Sequence, residues 1–203
     1  MIVFAVGGDV GAEGGLALVR LAPVGLPTAL GLWRLHGDDD RAWWRSAVSA
    51  AQEARGALSA AEAEACAVWV EQPGNEGGGK ANVRNRVRTW DRLGLRRGLL
   101  TAALYDAGFV GVYHPQPGEW PGAWGKAPGS RTKNLIRVGK DKADGGEHRV
   151  REAGAMVVGG SRLLAIGLAT GRIDRAEALL IAGAAALRAR SAAVAAGMAR
   201  RAS

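Results

Sequence analysis

Ile2-Val3-Phe4-Ala5-Val6-Gly7-Gly8-Asp9 opens the chain with an apolar run that ends on a carboxylate. A short apolar run of this kind is typical of a buried strand, and we predict a strand over residues 2–8. A carboxylate beside a buried strand is costly to desolvate unless it is paired or bound to a cation. Asp9 is therefore a candidate functional acid, and the alternative is a turn residue within Gly7-Gly8-Asp9-Val10-Gly11.

Outward from this strand, short apolar runs alternate with longer segments of helical periodicity. Further strands are predicted over 14–21, 29–35, 65–71 and 109–114. Helices are predicted over 41–57 (with Asp40 as its N-cap), 81–107, 131–142, 150–168 and 173–190. An antiparallel meander followed by strand–helix–strand units predicts an α/β fold, with a five-stranded mixed sheet and helices on both faces. We expect one domain over 1–190 and a basic, frayed tail over 191–203.

Composition narrows the function classes. The 203 residues carry a formal charge of +8, which favours an anionic partner, most commonly nucleic acid. The single cysteine, Cys66, lies in an apolar run and is expected to be a buried hydrophobic side chain. The first residues lack the basic start of a signal peptide, and no apolar stretch is expected to reach the roughly 18 residues that span a membrane. We therefore expect a cytoplasmic protein with no membrane partner.

Three further acids share the unusual placement of Asp9. Glu71 directly follows the apolar Val68-Trp69-Val70. Asp174 and Glu177 are spaced to point to one face of the last helix, which packs inward. Four such carboxylates suit two Mg²⁺ or Mn²⁺ ions, which can activate a water and stabilise the leaving oxygen of a phosphodiester. Singly, Glu71 also fits the start of a solvated loop, and Asp174 with Glu177 fits a capping box.

Two basic clusters flank the segments that carry these acids. The first comprises Lys80, Arg84, Arg86, Arg88, Arg92, Arg96 and Arg97, and the second comprises Lys126, Arg131, Lys133, Arg137, Lys140 and Lys142. Few acids are interleaved with them, which favours contact with DNA phosphates over a merely solvated face. Lys80, Arg84, Arg88, Lys126, Arg131, Lys133 and Lys140 are the predicted DNA-binding residues. Trp120 and Trp124 fit either base stacking or anchorage of their loop to the core, and anchorage is favoured.

Taken in order, these features resemble the RuvC-type Holliday junction resolvases of the RNase H-like superfamily. Asp9 resembles the first metal acid of that family, and Val70-Glu71-Gln72 resembles the second. The stretch from Leu93 to Leu100, with Gly94 and Gly98, is similar to the Gly-x-x-x-Gly stretch of the long helix. Tyr113-His114-Pro115-Gln116 with Trp120 resembles the segment after strand five. Asp174-Arg175-Ala176-Glu177-Ala178-Leu179 resembles the closing acidic helix.

The resemblance implies a homodimeric endonuclease that uses Mg²⁺ or Mn²⁺ to cut two strands of a four-way DNA junction symmetrically. Asp9, Glu71, Asp174 and Glu177 would then be the catalytic metal ligands. Gly94 and Gly98 would let a second helix approach, although packing on the chain's own sheet is equally compatible. This sequence departs from the family in having Glu177 where an Asp is usual, and in lacking an aromatic residue in the glycine-rich loop after Glu71.

Two other functions remain open. Those departures are compatible with a catalytically weak RNase H-like protein that binds structured nucleic acid without cutting it. The turn Gly7-Gly8-Asp9-Val10-Gly11 could instead cradle phosphates in a nucleotide-binding enzyme of the actin and sugar-kinase type. That fold needs two similar halves, for which 203 residues are too few.

Overall fold

The computed structural model describes residues 1–11, 13–72, 83–116, 119–124, 158, 162 and 172–202. Its strands are β1 (Val3–Asp9), β2 (Gly15–Leu21), β3 (Thr28–Arg34) and β4 (Ala67–Val70). Its helices, numbered here in chain order, are α1 (Asp40–Gly56), α2 (Ala60–Glu64), α3 (Val83–Asp106), α4 (Glu119–Trp124) and α5 (Arg172–Ala202).

A mixed sheet in the order β3-β2-β1-β4 forms the centre of the fold. β1, β2 and β3 pair antiparallel, which confirms the predicted meander, whereas β4 pairs parallel to β1. Residues that alternate along the strands face two apolar cores. One core packs α1 and α3 against the sheet, and the other packs α4 and α5 against the opposite face. The predictions of a mixed sheet and of helices on both faces are therefore confirmed.

The predicted fifth strand is wrong for the described residues, because the sheet has four strands. The segment after α3 does run beside β4, where Tyr113 N donates to Val68 O at 2.8 Å and Val70 N donates to Tyr113 O at 2.9 Å. Among the described residues next to β4 on this side, Trp69 and Tyr113 alone form a parallel bridge. Gly111 has a φ of +65°, which takes the backbone out of the extended conformation and delays pairing.

Several helix ends also differ from prediction. Asp39, not Asp40, caps α1, since its side chain accepts from Ala42 N at 2.6 Å. α2 was not predicted, and α4 forms where the sequence predicted the loop that carries Trp120 and Trp124. α5 continues through the predicted tail to Ala202, because this alanine-rich stretch is itself a good helix former.

α5 is the principal core helix. Ala178 to Leu187 are almost entirely buried, and the backbone of α5 approaches β1 so closely that a Cβ at Gly7 would lie 2.2 Å from Ala182 N. Its window within Asp174–Arg200 has a mean hydropathy of 1.5, enough by length and composition to cross a membrane, which corrects the expectation that no stretch is long enough. Because 56% of that window is buried inside the protein, this is weak evidence for a membrane span.

The predicted helix over 131–142 lies outside the described residues. The predicted helix over 150–168 does as well, except for two helical residues. Val158 is buried in the α5 core, and Arg162 Nε donates to Ala29 O at 3.2 Å. The division into a domain over 1–190 and a tail over 191–203 stays a prediction.

Candidate metal centre

Asp9 and Glu71 lie side by side because neighbouring parallel strands end at the same edge of the sheet. Gly8 is in register with Val70, and Glu71 N donates to Gly8 O at 3.0 Å. Residues that follow this pair, one on each strand, must therefore emerge together. Backbone pairing alone thus joins two acids that are far apart in the chain.

The first turns of α5 bring the remaining acids to the same edge. A Cβ on Gly11 would lie 2.8 Å from Asp174 Oδ1 and 3.4 Å from Asp9 Oδ2, so the Asp174 side chain lies against the turn that follows Asp9. Oxygen atoms of Asp9, Glu71 and Glu177 all lie within 4.8 Å of one another. The structure therefore gathers three of the acids into one cluster, with Asp174 at its border.

The electrostatic state of Asp9 follows from this crowding. Its side chain is buried, and burial raises the pKa of Asp9 well above its ordinary value. The negative charges of Glu177, Asp174 and Glu71 raise that pKa further, in this order, whereas the hydrogen bond from Gly11 N to Oδ1, at 3.1 Å, lowers it. A buried carboxylate among carboxylates is stable only when it is protonated or when a cation compensates the charge.

This donor set fits a divalent metal ion. Among the described residues, Asp9 Oδ2 is buried without a hydrogen-bond partner, so it is an oxygen that a cation could satisfy. Hard ions such as Mg²⁺ and Mn²⁺ prefer carboxylate oxygens over nitrogen or sulfur ligands. The sole cysteine, Cys66, is buried on the other face of the sheet, where desolvation raises its thiol pKa to about 12, as expected for a hydrophobic side chain.

Two residues that support the acids had no such role in the sequence analysis. Trp120 Nε1 donates to Glu71 Oε1 at 2.7 Å, across a separation of 49 positions in the chain. Trp120 and Trp124 are both buried, which confirms that they anchor their segment to the core. The anchorage was predictable from their apolar bulk, but the contact with Glu71 had no signal in the sequence.

Arg96 is the second such residue, and its expected place in an exposed basic cluster is wrong. It was grouped with the first basic cluster, but it is only 3% exposed and points inward. Its Nη1 donates to Gly11 O at 3.1 Å, and its guanidinium lies 5.2 Å from the centroid of the Trp43 ring. Arg96 thus holds the turn that follows Asp9 rather than contacting a ligand. No local pattern in the sequence distinguishes Arg96 from the exposed Arg92 of the same helix.

Other expected site residues can be placed only in part. His114 Nδ1 lies 3.1 Å from Val70 O, so this side chain contacts the backbone at the end of β4. The predicted DNA-binding residues lie outside the described residues or, in the case of Arg84 and Arg88, have side chains outside them. These residues were Lys80, Arg84, Arg88, Lys126, Arg131, Lys133 and Lys140.

The fold and the site together define a class: an α/β protein in which carboxylates cluster where parallel strands of a mixed sheet end. Solved structures of Thermus thermophilus RuvC share this fold. RuvC in complex with a Holliday junction substrate aligns with a TM-score of 0.55 and 16% identity, over 93% of this chain and 96% of that chain. A second T. thermophilus RuvC structure aligns with a TM-score of 0.55 and 18% identity, over 94% and 97%.

At such identities the likeness establishes the fold. The predicted resemblance to RuvC, which has the RNase H-like fold, is therefore confirmed at this level. No family model matches the chain, and no curated protein matches its sequence.

Proposed function

We propose that this protein is a metal-dependent endonuclease that hydrolyses phosphodiester bonds in four-way DNA junctions or other branched DNA. The observation that carries the proposal is the cluster of Asp9, Glu71 and Glu177, which stands at one edge of a fold shared with RuvC bound to a Holliday junction. A nuclease for such junctions would act in DNA recombination or repair, within the cytoplasm.

The proposed site holds two Mg²⁺ or Mn²⁺ ions through Asp9, Glu71, Asp174 and Glu177. When bound, such ions supply an activated water and stabilise the leaving oxygen. Asp9 would be the principal ligand, because it is the most buried of the four and the charges of the other three act on it. Glu71 would hold one ion beside it, and the two acids of α5 would complete the charge of the site.

Binding of DNA is assigned to the two basic clusters, through Lys80, Arg84 and Arg88 in the first and Lys126, Arg131, Lys133 and Lys140 in the second. Contacts with phosphate oxygens read the shape of the backbone rather than the bases. Each phosphate that is neutralised makes the slope of log affinity against log salt more negative by about 0.9. The formal charge of +8 supports a substantial share for such contacts.

A homodimer is proposed through the outer face of α3. A Cβ on Gly94 or Gly98 would meet nothing within 4 Å, and Leu95 and Tyr105 beside them are half exposed. Among the described residues, the alternative that these glycines pack on the sheet finds no support. A two-fold dimer would present two sites to a two-fold junction. Sedimentation equilibrium should give twice the mass of the 21.0 kDa chain.

The test is cleavage of a synthetic four-way junction with end-labelled strands, in Mg²⁺ and in Mn²⁺. We expect the wild-type protein to cut two strands symmetrically. Asp9→Asn should lower the rate by more than about 100-fold, because even partners of a metal ligand contribute 10- to 100-fold, and it should leave junction binding intact. Asp106→Asn, which changes an exposed acid at the end of α3, is the matched control and should cut normally.

Each outcome of this assay has a defined meaning. Cleavage that persists in the Asp9→Asn variant would refute the proposed site. Tight junction binding by a wild-type protein that cuts in neither metal would favour the catalytically weak, structure-binding alternative. Symmetrical cuts on opposing strands would support the dimer, whereas cuts on one strand alone would not.

A further inference from the structure

We infer that Trp120 is a positioning residue for the Glu71 carboxylate, so that its indole N–H helps to set the affinity for divalent metal. The inference rests on the proposed metal site and extends it to a residue that is not itself a ligand. Trp120 Nε1 lies 2.7 Å from Glu71 Oε1, at the short end of the range for hydrogen bonds to a charged acceptor.

The indole is rigidly held, which a positioning residue requires. Trp120 is 2% exposed and belongs to the core that α4 and α5 form against the sheet. The preceding residue, Glu119, accepts hydrogen bonds from Gln116 N at 2.7 Å and from the Tyr113 hydroxyl at 2.9 Å. Tyr113 in turn pairs with the backbone of β4, so the start of α4 is tied to the strand that leads into Glu71.

The backbone of Glu71 is fixed from the opposite side. Glu71 N donates to Gly8 O, and Gln72 N donates to Pro115 O, both at 3.0 Å. Because the main chain is held in this way, the position of the carboxylate depends on rotation about the bonds of the Glu71 side chain. The hydrogen bond from Trp120 selects one orientation, and it does so before any ion binds.

The chemistry of indole suits this place in particular. The ring N–H can donate but cannot accept, so it supports an ionised carboxylate without becoming a metal ligand itself. It also carries no positive charge, so it does not compete with the cation as a lysine or arginine would. The indole therefore holds the Glu71 carboxylate, which lies beside Asp9 and Glu177, through a neutral hydrogen-bond donor.

Trp124 provides a matched control within the same helix. It is fully buried, and its Nε1 donates to Leu180 O at 2.9 Å, so it makes a comparable indole hydrogen bond away from the acids. A purely structural role for Trp120 predicts that Trp120→Phe and Trp124→Phe behave alike. A positioning role predicts that only Trp120→Phe changes the affinity for metal.

The experiment measures Mn²⁺ binding to the full chain by isothermal titration calorimetry, with electron paramagnetic resonance of free Mn²⁺ as a second readout. We expect Trp120→Phe to weaken binding on the order of 10-fold, as loss of a ligand's hydrogen-bond partner does, and Trp124→Phe to bind within about 2-fold of wild type. Equal affinities in the two variants would overturn the inference. Mn²⁺ binding that persists in the Asp9→Asn variant would instead refute the metal site on which the inference rests.

A measurement on the wild-type protein covers the case in which Trp120→Phe does not fold. The indole ¹H–¹⁵N resonances report on the hydrogen bond of each ring N–H. Titration with Mg²⁺ should shift the Trp120 resonance and leave the Trp124 resonance in place. A Trp120 resonance that stays fixed while the Glu71 amide moves would contradict the positioning role.

Discussion

The contact between β1 and α5 is apolar, whereas the adjacent edge of the sheet, here called the acid edge, carries Asp9, Glu71 and Glu177. At the contact, Gly7 lies against the backbone of Ala178 and Ala182, and the core around them is apolar. At the edge, Asp9 and Glu177 extend from the same strand and helix, and burial and the charge of Glu177 raise the pKa of Asp9. The comparison shows that close packing of apolar groups keeps β1 and α5 together despite the repulsion between their carboxylates.

The largest expected effect comes from breaking the packed contact. In Gly7→Ala the added methyl group would lie 2.2 Å from Ala182 N and 2.5 Å from Ala178 O, so α5 must move away from β1. Overpacking of this kind lowers the free energy of unfolding by about 3 kcal/mol. The acids of α5 should move with the helix, so Mn²⁺ binding should fall as well. Urea denaturation and calorimetry measure the two effects.

Gly56→Ala is the control for that substitution. Gly56 is the last residue of α1, and a Cβ there would meet nothing within 4 Å. We expect it to raise stability by up to about 1 kcal/mol, the usual difference between glycine and alanine in a helix. If Gly7→Ala were as stable as this control, the close contact between β1 and α5 would not hold the fold together.

A smaller effect is expected from the support of the Asp9 turn. Arg96→Met keeps a long apolar stem over Trp43 but removes the hydrogen bond to Gly11 O. We expect a loss of about 2 kcal/mol in unfolding free energy, which is typical of a bond from a charged donor, together with weaker Mn²⁺ binding.

Arg92→Met is the paired variant for this test. Like Arg96, Arg92 lies on α3; its Nε is 3.6 Å from Asp40 Oδ1, and its side chain is 52% exposed. Surface ion pairs contribute less than about 1 kcal/mol, so this variant should remain close to wild type in both measurements. Similar losses for the two arginines would show that burial of Arg96 does not serve the turn.

The smallest effect concerns the charge of Asp9 in the metal-free protein. The folded state raises the pKa of Asp9 above its ordinary value of 3.8, so it binds that proton more tightly than the unfolded chain. The stabilisation is therefore fully present below pH 3.8 and is lost as the pH rises through the raised pKa. At neutral pH the buried charge destabilises the metal-free fold.

Asp9→Asn tests this sign directly. At neutral pH and without metal, the variant should melt roughly 2–4 °C above wild type, the shift that about 1 kcal/mol produces in a domain of this size. The difference should shrink as the pH falls toward 4. Addition of Mg²⁺ should raise the melting temperature of wild type but not of the variant. A variant that melts below wild type at neutral pH would contradict the account of the acid edge.

Local patterns in the sequence were sufficient to predict the four strands of the sheet and to single out the candidate acids. The apolar run before Asp9 and the run before Glu71 both form strands, because period and length are local properties. The prediction of a fifth strand is wrong because Gly111, which has a positive φ, interrupts an apolar segment whose sequence is otherwise typical of a strand. The predicted end of the last helix at residue 190 is wrong because an alanine-rich stretch continues α5 to Ala202.

Local patterns in the sequence could not predict the contacts between distant segments. The hydrogen bond from Trp120 to Glu71 spans 49 positions, and the one from Arg96 to Gly11 spans 85. Neither partner carries a local signal for the other, since an inward arginine and an outward arginine on α3 look alike in sequence. To predict the cluster of three acids, one would have needed the register of β1 with β4 and the position at which α5 packs on the sheet.

The most direct test of the central claim is anomalous diffraction from crystals grown with Mn²⁺, because manganese scatters distinctively and carboxylate ligands bind it readily. The account predicts an anomalous peak bounded by oxygens of Asp9, Glu71 and Glu177, absent from crystals of Asp9→Asn. Ordered density for all three side chains with no peak between them, at Mn²⁺ concentrations that support junction cleavage, would contradict it.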